Sequence, residues 1–175
     1  YKEHGFKKKG EAERLIGELS AEPAGPATVI GIEKKKENKN APLLYNLAEL
    51  QNDCSKYFKI SPDETLRIVQ ELYEKKMTTY PRTDARVLST AVAKEIHKNI
   101  GGLRNYALAA PFAKEVLEQG TYKNIAKTRY VNDKQITDHY AIIPTGQGLG
   151  NLNSLNPVSA KVYEIIARRF LSIFY

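Results

Sequence analysis

The tetrapeptide Ser61-Pro62-Asp63-Glu64 constrains the fold more tightly than any other part of this chain. Ser61 can cap a helix with its hydroxyl. Pro62 suits the first helical position, where an N–H has no partner, and Glu64 completes a capping box. The helix so opened carries Leu66, Ile68, Val69, Leu72 and Tyr73 as its apolar stripe. Ahead of it, a helix from about 46 to 57 places Leu47, Leu50 and Cys54 on one face. Two helices joined by a tight turn and followed by a short strand read as a helix-turn-helix or winged arrangement, although any small helical bundle carries the same pattern.

The same alternation of stripes and stops runs along the chain. Residues 10–19 repeat Ala12, Leu15, Ile16 and Leu19 at helical spacing, and a Pro/Gly break follows at 23–26. Residues 27–34 alternate weakly through Thr28, Val29, Ile30 and Ile32 and predict a strand. The basic stretch 34–39 is the best boundary, giving residues 1–40 and 41–175 as separate parts. Ser89 or Thr90 starts a helix through Val92, Ile96 and Ile100, closed by Gly101-Gly102. Residues 107–118 form another, stopped by Gly120, and 121–135 read as a polar hairpin or loop. Residues 136–145 are strand-like and end near Pro144, and Gly146, Gly148 and Gly150 make a flexible stretch. The last helix, from Pro157, buries Val158, Val162, Ile165, Ile166, Phe170 and Ile173. The fold class expected is mainly α with short β elements, plus an orphan strand whose edge invites pairing with a second copy in a crystal.

Composition narrows the partners. The chain has 175 residues, 42% hydrophobic and 27% charged, ordinary for a globular domain. No run approaches the roughly 18 apolar residues that span a bilayer, and the basic, polar N-terminus is no signal peptide. One cysteine, Cys54, excludes an internal disulfide and any cysteine-based metal cage, and suits a reducing compartment. His4 and His97 lack metal-ligand partners at sensible spacing. A net charge of +7 favours an anionic partner, nucleic acid before membrane surface. The only methionine is Met77, and Ile173-Phe174-Tyr175 ends within an apolar pattern. An internal fragment of a longer protein is expected.

Residues 77–85 carry the chemistry: Met77-Thr78-Thr79-Tyr80-Pro81-Arg82-Thr83-Asp84-Ala85. A free phenol titrates near pH 10, so only about a thousandth is phenolate at neutrality, a deficit of about 4 kcal/mol. A nearby guanidinium favours the phenolate and compensates charge on an attacked phosphate. Arg82 does this without losing its own proton, and its fork matches phosphate geometry. Pro81 biases Tyr80 towards extended backbone, where residues i and i+2 share a face, so Tyr80 and Arg82 are expected to point the same way. Thr83 and Asp84 can hold the turn. With 11 tyrosines in the chain, an ordinary half-buried strand tyrosine is the competing reading.

The Thr-Tyr-Pro-Arg-Thr-Asp run resembles the active-site signature of type IA DNA topoisomerases. The segment His139-Tyr140-Ala141-Ile142-Ile143-Pro144-Thr145 is similar to that family's His-x-Ala-Ile-x-Pro-Thr motif, in the form of the topoisomerase III branch. The segments 66–73 and 162–170 resemble the helices flanking those motifs. The similarity runs over nearly the whole chain, and the two motifs in this order are far more specific than either alone.

The resemblance implies that Tyr80 attacks a single-stranded DNA phosphodiester and forms a 5′-phosphotyrosyl link, with no need for ATP. Arg82 would be catalytic and neutralise the scissile phosphate, and His139 and Thr83 would bind DNA phosphate. Magnesium would be held by an acidic domain outside this chain, since no Asp-x-Asp pattern is present. No cofactor, metal or small molecule is expected within it, and the remaining domains of the parent would be its partners. Residues 1–40 would be an α/β tail of the arch domain. Residues 41–175 would be the winged-helix-like (CAP-like) tyrosine domain that caps the toroidal hole. A bacterial cytoplasmic, nucleoid-associated location would follow, as would a fragment that binds DNA, does not cut alone and is a monomer or a crystal dimer. Two positions depart from the family: Ala85 replaces the usual Ser or Cys, and Tyr140 replaces a Glu or His. A non-catalytic winged-helix module with a structural Tyr80 is the alternative. A tyrosine recombinase is disfavoured, because its Arg and His residues precede the tyrosine.

Overall fold

Side-chain caps set the helix starts. Asn46, Ser61, Ser89 and Asn156 each accept a hydrogen bond from the backbone N–H three residues on. Each such cap contributes about 1 kcal/mol. The computed structural model describes residues 5–22, 28–37 and 39–175. They belong to two units, Tyr1–Asn38 and Lys39–Tyr175.

In the first unit, helix α1 spans Lys9–Leu19 and buries none of its residues. Residues 28–34 form no strand, and residue 27 lies outside the described residues. Val29, Ile30 and Ile32 are 78–98% exposed. An isolated strand leaves its N–H and C=O groups unpaired, so weak alternation alone does not make one. The β half of the expected α/β tail is therefore missing among the described residues.

The second unit is helical. It contains α2 (Leu47–Phe58), α3 (Pro62–Glu74), α4 (Thr90–Gly102), α5 (Ala110–Gln119) and α6 (Pro157–Ser172). Helix α3 packs on both α2 and α6, and α4 packs on α5. The core is built from fully buried Leu50, Leu72, Ile96, Ile142, Tyr163 and Phe170. Removing a ring such as Phe170 from such a core costs about 3–5 kcal/mol. Beside it, Arg169 donates to the Asp53 carboxylate at 2.9 Å and to the Leu43 carbonyl at 3.0 Å, tying α6 to α2 and its preceding loop.

The described residues form no sheet. The expected short strands are single antiparallel bridges, Tyr45 to Ile142 and Thr78 to Pro144, and one parallel bridge, Leu88 to Val131. Of the hairpin or loop expected over 121–135, the structure shows the irregular alternative, with two 3₁₀ segments at Thr121–Lys127 and Asp133–Gln135. Helix α4 ends at Gly101-Gly102, as expected, and the chain runs on into a 3₁₀ turn at Leu103–Asn105. Gly102 is there for space: a Cβ on it would lie 2.1 Å from the Gly146 carbonyl oxygen. The glycine-rich stretch after Pro144 is thus packed directly onto α4.

Candidate active site

The two motif segments run side by side, and their hydroxyls join them. Thr145 N–H donates to the Met77 carbonyl and Thr79 N–H to the Ile143 carbonyl, both at 3.0 Å. The Thr79 hydroxyl donates to the Ala141 carbonyl and accepts from Ile143 N–H, each at 3.0 Å. The Thr83 hydroxyl donates to the His139 carbonyl at 2.9 Å and accepts from Ala85 N–H at 3.1 Å. Threonine does here what strand pairing does in a sheet: it satisfies the backbone of a neighbouring extended segment.

This alignment brings Tyr80 to His139. Their ring centroids are 4.4 Å apart and the planes are tilted by 40°. On its other side Tyr80 meets Tyr73 edge-on, at 5.5 Å and 82°. Aromatic contacts of this kind contribute about 0.5–1.5 kcal/mol beyond burial and fix ring orientation. Tyr73 was expected in the buried stripe of α3, but it is 40% exposed. It sits in the last turn of that helix, where the stripe rotates out of the core and towards the Tyr80 loop. Helical periodicity alone cannot separate a core tyrosine from one that turns out at a helix end.

Around Tyr80 the backbone alternates. Pro81, Thr83 and Ala85 are buried, and Arg82 and Asp84 are exposed. Thr83 N–H donates to the Pro81 carbonyl at 3.0 Å, so the chain bends at Arg82 instead of continuing as a strand. Arg82 stands in solvent, outside the residues lining the adjoining cavity. Thr83 is 7% exposed, and its single hydroxyl proton goes to the His139 carbonyl. In this conformation its hydroxyl has no proton left to donate outward.

Tyr80, His139, Tyr73, Tyr140, Lys76 and Gln147 help to line an open cavity of about 560 Å³. Burial pushes the Tyr140 phenol above its ordinary value, so it stays protonated at neutral pH. Thr78 also lines this cavity; it is 1% exposed and its hydroxyl is without a hydrogen-bond partner. Sequence reasoning missed Tyr73 and Lys76 as members of the site. Nothing in a linear pattern marks them, since their placement follows from where α3 ends. Among the described residues, no group of three or more His, Cys, Asp or Glu side chains is placed to hold a metal ion. The described residues that line this cavity do not fit a magnesium site. No helix among the described residues is long and apolar enough to cross a membrane.

Comparison with known proteins agrees with the motifs. The family described as DNA topoisomerase matches residues 1–175. A DNA topoisomerase 3 of Bacillus licheniformis is 38% identical over 161 residues, covering 91% of this chain and 21% of that protein. The DNA topoisomerase 3 of Bacillus subtilis is 39% identical over 161 residues, with the same coverages. That of Bacillus cereus is 38% identical over 152 residues, covering 85% of this chain and 20% of the relative. The chain thus spans about a fifth of the length of the curated relatives it matches. With its whole length matched by that family, the chain belongs to the type IA DNA topoisomerases that its two motifs resemble.

Proposed function

We propose that Tyr80 is the nucleophile of a DNA topoisomerase and that this chain carries its tyrosine domain. The observation supporting this most directly is the partly exposed Tyr80 ring, in contact with both Tyr73 and His139 and lining an open cavity with them. The phenolic oxygen attacks a phosphorus of single-stranded DNA. A bond forms between phosphorus and the tyrosine oxygen, and the bond from phosphorus to the 3′ oxygen breaks. The phenol gives up one proton and the 3′ oxygen takes one up, so the step balances. The phosphodiester energy is kept in the phosphotyrosyl link, and attack by the 3′ hydroxyl reverses it without ATP.

His139, whose ring lies against that of Tyr80, donates to a phosphate beside it. Arg82, exposed and two residues from Tyr80, neutralises charge on the scissile phosphate. Residues 41–175 form the tyrosine domain, with α2 and α3 as its winged-helix-like pair, and residues 1–40 belong to the arch. Magnesium is supplied by another part of the parent protein, which acts on DNA in the bacterial nucleoid. The 175-residue chain alone binds single-stranded DNA and does not nick it.

The test is relaxation of negatively supercoiled DNA by the parent protein with magnesium. Tyr80→Phe removes one oxygen and is expected to abolish relaxation. Retained relaxation would favour a non-catalytic DNA-binding module with a structural Tyr80.

A further inference from the structure

We infer that Lys76 anchors a backbone phosphate of the DNA strand next to the scissile one. The inference rests on the reading of the Tyr80 cavity as a single-stranded DNA site and adds a residue that neither motif contains.

Helix α3 ends in a Schellman turn. Lys76 N–H donates to the Tyr73 carbonyl at 2.8 Å, and Met77 N–H to the Leu72 carbonyl at 2.9 Å. The residue at the turn must be left-handed, and Lys76 has φ of 60°. Glycine is the unstrained choice at that position, and a side chain with a Cβ is disfavoured there. The strain is over-determined by its surroundings. The Thr145 hydroxyl donates to the Lys76 carbonyl at 2.5 Å. Gly148 presses on the same turn so closely that a Cβ on it would lie 2.3 Å from the Lys75 carbonyl oxygen. A strained backbone held this firmly beside a reactive group points to function.

The Lys76 side chain lines the cavity that also holds Tyr80 and His139. No ion pair to Lys76 is found among the described residues, whereas its neighbour Lys75 reaches Glu71 at 3.5 Å. Glu74 in the same lining accepts from Gln70 at 3.0 Å. A lysine whose backbone is fixed by a rigid turn, with no ion pair among the described residues and lining the same cavity as a nucleophilic phenol, suits a second phosphate of the strand.

Lys59 provides a matched control. It is exposed, has φ of 60° at the end of α2, and does not line the cavity. Lys76→Gly and Lys59→Gly therefore remove the same charge and relieve the same backbone strain. The experiment measures binding of a fluorescent single-stranded oligonucleotide by this chain across a salt series, with thermal unfolding of each variant.

Neither variant is expected to lower the melting temperature. Only Lys76→Gly is expected to weaken binding, roughly five- to tenfold at ~50 mM salt, and to make the salt slope shallower by about 0.7. Equal losses from both variants, or no loss from Lys76→Gly, would overturn the inference. A lower melting temperature with unchanged binding would assign Lys76 to the helix end alone. Failure of the unaltered chain to bind the oligonucleotide would remove the inference together with the DNA site. Normal binding by Lys76→Gly, with the Tyr80 adduct still formed by the parent, would remove the inference alone.

Discussion

The hydroxyl of Thr83 donates to the carbonyl of His139 at 2.9 Å, one of several bonds that tie the two motif segments together beside Tyr80. Thr83→Val leaves the His139 carbonyl and the Ala85 N–H short of a partner. It is expected to cost about 1–3 kcal/mol in denaturant unfolding. In the parent protein it should also lower the yield of the covalent DNA adduct, and Thr83→Ser should restore both. Equal adduct yields from the Val and Ser variants would show that the bond does not position His139.

His139 is exposed, so its removal should cost the fold of this chain little more than its ring contact with Tyr80, about 0.5–1.5 kcal/mol. Its effect belongs to chemistry. His139→Ala in the parent is expected to slow adduct formation by about 10²-fold, the usual effect of losing one donor to a developing phosphate charge. Single-turnover cleavage measures this directly, and an unchanged rate would remove His139 from the site.

Two adjacent glycines in α4 separate packing from helix propensity. A Cβ on Gly101 meets nothing within 4 Å, whereas one on Gly102 meets the backbone of Gly146. Gly101→Ala should therefore stabilise by up to about 1 kcal/mol. Gly102→Ala should destabilise, because the loop behind the site has to move. Thermal unfolding of the pair checks the sign of each change.

Local signals carried the helical frame. Ser61, Ser89 and Asn156 cap the helices they precede, and Gly120 closes α5 with φ of 68°. Side-chain caps act within a few residues, so a linear reading can find them. The failures involve partners distant in the chain. Residues 28–34 alternate but pair with no strand among the described residues, and Tyr73 has the spacing of a core residue but turns towards Tyr80. Thr83 was legible as part of a motif, but not as a clamp, since its acceptor belongs to His139. The motifs named Tyr80 and His139, and only the fold brings their rings to 4.4 Å.

Asp133 gives a pH dependence with a definite sign. Its carboxylate accepts from the Thr90 hydroxyl at 2.6 Å and the Thr90 N–H at 2.8 Å. These bonds hold the carboxyl below the usual range. The unfolded chain therefore takes up this proton first as pH falls. The stabilisation is present in full above about pH 4, the ordinary aspartate value, and is lost as pH falls through the lower folded value. Unfolding of D133N should show a smaller loss of stability over that acid range than the unaltered chain.

The central claim concerns one oxygen atom. The direct measurement traps the parent protein on a single-stranded oligonucleotide with magnesium and maps the modified peptide by mass spectrometry. The expected result is a nucleotide adduct on Tyr80 that disappears in Tyr80→Phe. An adduct that persists in Tyr80→Phe, or that maps to Tyr73 or Tyr140, would contradict the account.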